Sequence, residues 1–423
     1  MINLESLEKV GKSKFGSHFT KPLYRDYCFS NIPETIKKLL GAESSHALPE
    51  SILKGLPQQY DKIVLFYIDA FGWKSMEQHL ETHPLLRRVE KEGVISKITS
   101  QFPSTTAPHV VSIHSGCPVG ESGIYEWYMY DPKLDSIISP LLFNFAGSEE
   151  RNTLQNAGLQ PGDLFPHRSL YKELKTENIT SFVYQSRDYT PSPVTEAAFE
   201  GTQVLPFTSL AEVCMALLRD LKANERPAYH FIYFDKIDSI GHKYGPESDF
   251  YHAEIRNCLN LLEEELISGM DSEKGKTLVL LTTDHGMSPT DPKNTTYLNL
   301  EFPELIPMLD SSQKGHPLVP AGGCRDFFLH LKEDKLQDAI SLLQEPLAEK
   351  AEVHKVHDLL EAGFFGHSVS ENLRSRIGNL VILPYYGESV WWYEKNRFEQ
   401  NMLGHHGGLT RQEMEIPLLA LCL

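Results

Sequence analysis

Cysteine is sparse in this chain: six residues in 423, and no two close enough to make a CxxC pair. That excludes a disulfide framework and a thiolate zinc knuckle. Cys28, Cys117, Cys214, Cys258, Cys324 and Cys422 are widely spaced and read as buried free thiols, which suits a reducing compartment. Long hydrophobic runs are also missing. No stretch approaches the roughly 18 apolar residues of a membrane-spanning helix, and the N-terminal MINLESLEKVGKSKF has no apolar signal-peptide core. A cytoplasmic location without a membrane span is therefore the expectation, with non-classical export left open. Finally, basic residues are in deficit: 40 Lys and Arg stand against 57 Asp and Glu, for a net charge of −17. A nucleic-acid polymer is thus not the expected partner, because that affinity comes largely from Lys and Arg neutralising phosphates. Small phosphate compounds remain compatible, since bound divalent cations can reverse the local sign of the field.

What is present is an ordinary globular composition, 41% hydrophobic and 23% charged. A chain of this length exceeds the size at which single cores stop growing, so one large domain with an insertion, or two domains, is expected. Apolar, β-rich runs recur at KIVLFYID (62–69), TSFVYQ (180–185), AYHFIYFD (228–235), KTLVLLTTD (276–284), NLVILPYY (379–386) and IPLLALCL (416–423). Each reads as a central strand. Helical patterns lie between them, notably at 209–224 and 250–270. This alternation predicts an α/β fold with a largely parallel central sheet sandwiched by helices. Residues 120–165 and 287–375 are less regular and read as loops and a cap. The expected organisation is an N-terminal helical or irregular extension (1–59), a catalytic core (60–289 and 376–423) and an inserted cap region (290–375).

In open α/β sheets, ligands bind beyond the carboxyl ends of the strands. Metal-capable side chains gather at those ends here. Asp69 closes the first run; Asp235 and Asp238 follow another; Asp284 and His285 follow a third. Taken alone, Asp69 fits a helix cap as well as it fits a ligand. In YFDKIDSIGHKYGPES (233–248), carboxylate and imidazole four residues apart can reach one cation on a helical turn. The dipeptide Asp284-His285 can serve one ion only if the chain turns, which Gly286 permits. Near the end, His405 and His406 stand between glycines just before the last run.

The segment QFPSTTAPHVVSIHSG (101–116) places hydroxyl residues at an apparent helix start, where backbone amides favour an anion and the alkoxide form of a hydroxyl. Local physics does not choose between Thr105 and Thr106, nor between a nucleophile and a cap. The donor set as a whole, carboxylates, imidazoles and one hydroxyl, suits a pair of divalent ions better than a redox centre. Zinc is the first expectation, because His and Asp both contribute. The aromatic segments YEWYMY (125–130) and WWY (391–393) suit core or cap packing and, alternatively, stacking on a base or lining an apolar pocket. Arg187 and Arg325 are equally readable as phosphate contacts or as structural ion pairs.

The order Asp, Thr, Asp-x-x-x-His, Asp-His, His resembles the alkaline phosphatase superfamily, and in particular its type I phosphodiesterase/nucleotide pyrophosphatase branch, over about residues 60 to 423. In that branch the nucleophilic Thr sits two residues before a Pro, and FPSTTAP matches it with Thr106. The motif Gly-His-x-x-Gly-Pro aligns through His242 and Pro246, which selects Asp238 over Asp235. The family's last ligand directly precedes a Gly, which selects His406 over His405. The resemblance implies that Asp69, Thr106, Asp284 and His285 hold one zinc, and Asp238, His242 and His406 the other. It further implies hydrolysis of phosphodiester or nucleotide pyrophosphate bonds through a phospho-threonine intermediate, on a small phosphate-ester or nucleotide substrate. A phosphomonoesterase or phosphonate hydrolase on the same metal core is the alternative, and an inactive metal-binding protein a distant one. In one place the chain departs from the pattern: His109 stands where those phosphodiesterases commonly carry Asn, which puts a phosphate contact there in question.

Overall fold

In a computed structural model of the chain, residues 1–223, 227–270 and 277–423 are described. Asn224 and Lys276, end residues of two of the segments read above, lie outside them. Seven strands form the central sheet: β1 (Lys62–Ile68), β2 (Val94–Thr99), β3 (Thr180–Ser186), β4 (Gln203–Phe207), β5 (Ala228–Phe234), β6 (Thr277–Thr282) and β7 (Glu415–Cys422). Their spatial order is β2-β7-β6-β1-β5-β3-β4. From β6 to β4 every pairing is parallel. The last strand, β7, runs antiparallel to both of its neighbours. Hydropathy carries no strand direction, so this reversal was not readable in the run 416–423.

The central strands are apolar throughout because both faces are covered. In β1, Val64, Phe66 and Ile68 pack into one core with the helices α2 (Leu210–Ala223) and α4 (Asp249–Leu261). The alternate residues Ile63, Leu65 and Tyr67 face the other way, against Phe29, Ile32 and Ile36 of the N-terminal extension. That extension is tied to the sheet edge by backbone hydrogen bonds between Asn3 and Ile95 and between Ile95 and Met1. It therefore forms part of the second covering layer.

The run at 379–386 is not a central strand. Leu380–Pro384 lies in a separate four-stranded antiparallel sheet with Ala321–Gly323, Asp326–Leu329 and Ala351–Lys355. It is apolar on both faces because Leu380 and Ile382 pack into one small core while Val381 and Leu383 pack into another. A doubly buried strand of a satellite sheet thus mimics a central one, and a boundary drawn at 376 cuts through that sheet. Within 120–165 the chain forms a three-stranded antiparallel sheet (Met129–Asp131, Ser136–Ser139, Asn144–Phe145) rather than loops alone.

The topology brings the chemistry to one edge. Strands β1, β2, β5 and β6 all end there. Because β7 runs the opposite way, its approach segment, residues 404–410, reaches the same edge. Helix α1 (Thr106–Ser115) starts just after β2, with Pro108 in its first turn, where no intrahelical N–H is needed, and stops at Gly116, whose φ of 73° suits a residue without Cβ. Helix α3 (Lys236–Tyr244) starts just after β5.

Candidate active site

Asp69 lies one residue past β1, its amide donating to the Phe234 carbonyl (2.9 Å) at the end of β5. Asp284 and His285 lie just past β6, and all three side chains are buried. The Asp284 carboxylate accepts from the amides of His285 (3.0 Å) and Ala70 (3.3 Å) and from the Thr283 hydroxyl (2.9 Å). His285 donates Nδ1–H to the Gly286 carbonyl (3.0 Å), which leaves Nε2 with a free lone pair when the ring is neutral. That nitrogen is 3.2 Å from Asp284 Oδ2, 3.5 Å from Asp69 Oδ1 and 3.3 Å from the hydroxyl of Thr106. The turn that swings both residues of the dipeptide toward one point depends on Gly286: a Cβ there would sit 2.1 Å from the Gln412 carbonyl oxygen.

A second group adjoins the first. Asp238 and His242 are one turn apart on α3, with Asp238 Oδ1 3.3 Å from His242 Nε2. His242 donates Nδ1–H to the Gly404 carbonyl (2.8 Å), so its Nε2 also presents a lone pair. His406 Nε2 lies 3.6 Å from Asp238 Oδ1 and 3.2 Å from His242 Nε2. The His285 and His406 rings stack at 3.7 Å and join the two groups. All seven residues singled out in the sequence therefore converge: Asp69, Thr106, Asp284 and His285 on one side, Asp238, His242 and His406 on the other.

These groups fit a cation better than they fit one another. Asp69 Oδ1, Asp238 Oδ1 and Asp284 Oδ2 are buried with no hydrogen-bond donor, and the basic groups that these oxygens face are imidazoles. Burial, and then the charges of Asp284 and Asp238, push the Asp69 carboxyl well above its usual range. Burial likewise raises Asp238. Burial, with His285 and His242 beside it, holds His406 neutral. Burial opposes the ionised form of Asp284 too, but the adjacent His285 outweighs it and keeps that carboxylate below the ordinary value. Removing three anions from water at one spot calls for protons or for divalent charge. Two sets of three donors, Asp69/Asp284/His285 and Asp238/His285/His406, each have their ligand atoms within 4.8 Å of one another. Carboxylate and imidazole donors of this kind suit zinc or a similar borderline ion.

The residues left open by local sequence reasoning are also placed. Thr105 is the extended residue before α1, and its carbonyl accepts from His109 Nδ1 (2.7 Å). His109 Nε2 in turn accepts from the Gln101 amide (3.0 Å). His109 is fully buried, and these bonds brace the turn that presents Thr106. Asp235 is engaged by the Tyr189 hydroxyl and by Lys236 at 3.2 Å. Arg325 is the structural alternative of its two readings: fully buried, it pairs with Glu413 through Nε (3.0 Å) and Nη2 (2.9 Å) and donates to the carbonyls of Pro384 and Tyr385. Glu413 also accepts from the Gly408 amide (3.1 Å) and the Thr410 hydroxyl (2.5 Å), which fixes the segment after His406.

One feature escaped the sequence reading. The Tyr233 hydroxyl hydrogen-bonds Asp69 Oδ2; its only signal is its place two residues before the end of the run that leads to Asp238. Trp127, in the aromatic segment 125–130 read above, lines both of two cavities that meet at Thr106, one of about 250 Å³ and one of about 470 Å³.

The sequence pattern of the family described as type I phosphodiesterase / nucleotide pyrophosphatase matches residues 63–409. The chain belongs to this family. The family is metal-dependent, in keeping with the donor set above. Among curated relatives, ectonucleotide pyrophosphatase/phosphodiesterase family member 3 of Rattus norvegicus is 26% identical over 258 residues, 59% of this chain and 28% of that protein. Venom phosphodiesterase of Naja atra is 24% identical over 254 residues, 58% of this chain and 29% of its own length. The chain thus matches under a third of the length of either relative. Among solved structures, murine ectonucleotide pyrophosphatase/phosphodiesterase 5, an inactive variant in complex with AMP, superposes with a TM-score of 0.63 at 18% identity, covering 85% of this chain and 87% of that one. Phosphonoacetate hydrolase from Sinorhizobium meliloti, in complex with phosphonoacetate, gives 0.58 at 15% identity, with 84% and 89% covered. At these identities both likenesses concern the alkaline-phosphatase-like fold.

Proposed function

We propose that this type I phosphodiesterase family member hydrolyses phosphate esters, with a preference for diesters of nucleotides, using Thr106 as nucleophile and two divalent ions, zinc first. The carrying observation is the Thr106 hydroxyl at the start of α1, 3.3 Å from a histidine nitrogen already surrounded by two buried carboxylates. Asp69, Asp284, His285 and Thr106 would hold one ion; Asp238, His242 and His406 would hold the other. When bound, such ions lower the pKa of a coordinated hydroxyl or water and neutralise phosphoryl oxygens.

The chain's own residues do the rest. The helix N-terminus at Thr106 favours the alkoxide and then the added phosphoryl charge. His109 and Ser100 hold the backbone on either side, with the Ser100 hydroxyl donating to the Asp284 carbonyl (2.6 Å). Thr106 Oγ1 forms a bond to phosphorus as the ester oxygen leaves with a proton. Water then displaces Thr106 from phosphorus, returning the hydroxyl and releasing a monoester. Positioning and electrostatics supply most of the acceleration in such transfers.

The AMP bound by the murine neighbour supports a nucleotide substrate. The test is hydrolysis of bis-p-nitrophenyl phosphate, p-nitrophenyl phosphate and phosphonoacetate by one zinc-loaded preparation. The diester is expected to be cleaved fastest; fastest turnover of phosphonoacetate would replace this reading with a phosphonate hydrolase. In Thr106→Ala, diester turnover should fall at least about 1,000-fold while the fold persists.

A further inference from the structure

Trp127 lines two cavities that share Thr106 and Asp238; both have aromatic and carboxylate side chains in their walls, and they differ in their basic residues. The smaller reaches from Asp69 and Thr106 back to Val110, Phe199 and Phe231, with Arg151 and Arg187 among its lining residues. Both arginines are exposed. The larger is lined by all three of Asp238, His242 and His406 and is walled by Tyr128, Trp391 and Phe398. The Tyr128 ring lies 6.3 Å from that of Trp391 and 5.8 Å from that of Phe398.

The charge lining the larger cavity is negative or already committed. Glu126 and Glu399 contribute carboxylates, and Arg397 is its one Lys or Arg among the described residues. That guanidinium is taken: Nη1 pairs with Glu394 at 3.2 and 3.3 Å, Nη2 donates to the Ala146 carbonyl at 2.8 Å, and the group lies 4.7 Å over the Phe398 ring. Beyond the ion that Asp238, His242 and His406 would hold, a cavity with aromatic walls and no uncommitted Lys or Arg among its described lining residues favours an uncharged ring over a phosphorylated group.

An in-line displacement places the leaving oxygen across phosphorus from the attacking one. Thr106 belongs with the Asp69 and His285 side, so the leaving oxygen faces the side of Asp238, His242 and His406, which opens into the aromatic cavity. We propose that this cavity is the leaving-group subsite and takes an uncharged, ring-bearing alcohol, making the preferred substrate a phosphodiester rather than a pyrophosphate. The inference rests on the function proposed above, with Tyr128 and Trp391 as specificity determinants on the leaving side.

The test uses the zinc-loaded full chain and three substrates sharing a 5′-adenylyl group: a dinucleoside monophosphate whose leaving group is a nucleoside 3′-hydroxyl, adenosine 5′-methyl phosphate, and ATP. Because leaving groups differ in intrinsic reactivity, the readout is how each variant changes the ratios. Tyr128→Ala should lower kcat/KM about ten-fold on the dinucleoside ester while the methyl ester changes less than about two-fold, the size expected for one lost stacking face. Glu399→Lys should raise the ATP-to-dinucleoside ratio several-fold, whereas Arg187→Ala, in the other cavity, should move the dinucleoside and methyl esters together. Equal losses on both esters in Tyr128→Ala, or none, would overturn the proposal. Binding gives a readout independent of turnover. With AMP bound to Thr106→Ala to fill the adenylyl side, added adenosine should quench indole fluorescence further and lose that effect when Tyr128→Ala is also introduced; further quenching that survives Tyr128→Ala refutes the assignment. Parent activity in Thr106→Ala would instead strike the nucleophile and leave the Tyr128 ratio to report on the subsite.

Discussion

The edge of the seven-stranded sheet and the short segments packed beside it contribute different things to one site. The ligand cluster stands on strand ends and first helical turns, where neighbouring strands fix the backbone in register and burial fixes the side chains. The walls of the larger cavity come from Tyr128, Trp391 and Phe398, on short strands and connecting segments about 260 residues apart in sequence. Chemistry that tolerates little displacement sits on the most constrained backbone, and selectivity sits on the part of the fold that can vary without moving the cluster.

Substitutions can break this division or sharpen it. The largest effect is expected at the sheet edge: Asp238→Asn should remove one ion's worth of metal per chain, measured by elemental analysis after dialysis, and cost at least about 1,000-fold in diester turnover. A variant that keeps full metal content and rate would show that the two groups do not act as a pair. Next comes the joint between the regions. Arg325→Met leaves Glu413 buried without its partner and should destabilise the protein by about 3–5 kcal/mol, read by denaturant melts, with metal content falling alongside because Glu413 fixes the segment beyond His406. Within the satellite sheet, Ile382→Ala should cost about 2–5 kcal/mol through cavity formation, with little change in the ratio of diester to monoester hydrolysis.

The effect that is smallest at neutral pH concerns a strand remote from the cluster. His230 on β5 is buried and stacked on Phe182 at 4.7 Å, and burial pushes its pKa down to about 3. Its folded form binds fewer protons than the unfolded chain below the ordinary value of 6.5. Stability is therefore lost as pH falls from 6.5 toward 3. His230→Phe should flatten the fall in melting temperature over that window, by up to about 1.4 kcal/mol per pH unit. An unchanged slope would mean that other buried histidines, such as His114, carry the acid sensitivity.

Legibility in the sequence followed the same division. Asp69, Asp284 and Asp238 were readable together because each follows a run of apolar residues at the same sheet edge, although Asp69 alone fits a helix cap equally well. Thr105 and Thr106 were not separable on local grounds, since a helix start one residue earlier would exchange their roles; the structure turns Thr105 into the extended residue before α1 and points Thr106 at His285. His109 stood where a phosphate contact was in question and is a buried brace, bonded to the Thr105 carbonyl, the Gln101 amide and the Ser100 hydroxyl, a set that no sequence spacing announces. The run at 379–386 misled for a physical reason: burial on both faces leaves the same signature in any sheet. Two walls of the larger cavity, Tyr128 and Trp391, lie in the aromatic segments 125–130 and 391–393 that read as core packing or a pocket lining; Phe398 and the meeting of these distant segments were not legible.

The Arg325–Glu413 pair bears on how this fold can be rebuilt. Arg325 sits in the turn between two strands of the satellite sheet, and Glu413 lies seven residues past His406. Melting the satellite sheet would release the backbone that carries the last histidine, so the two parts should unfold together rather than one after the other. The satellite sheet is thus not a lid that can be cut away or exchanged at will. A chimaera that replaces it must supply its own buried partner for Glu413, or selectivity will have been changed at the expense of the site it was meant to serve.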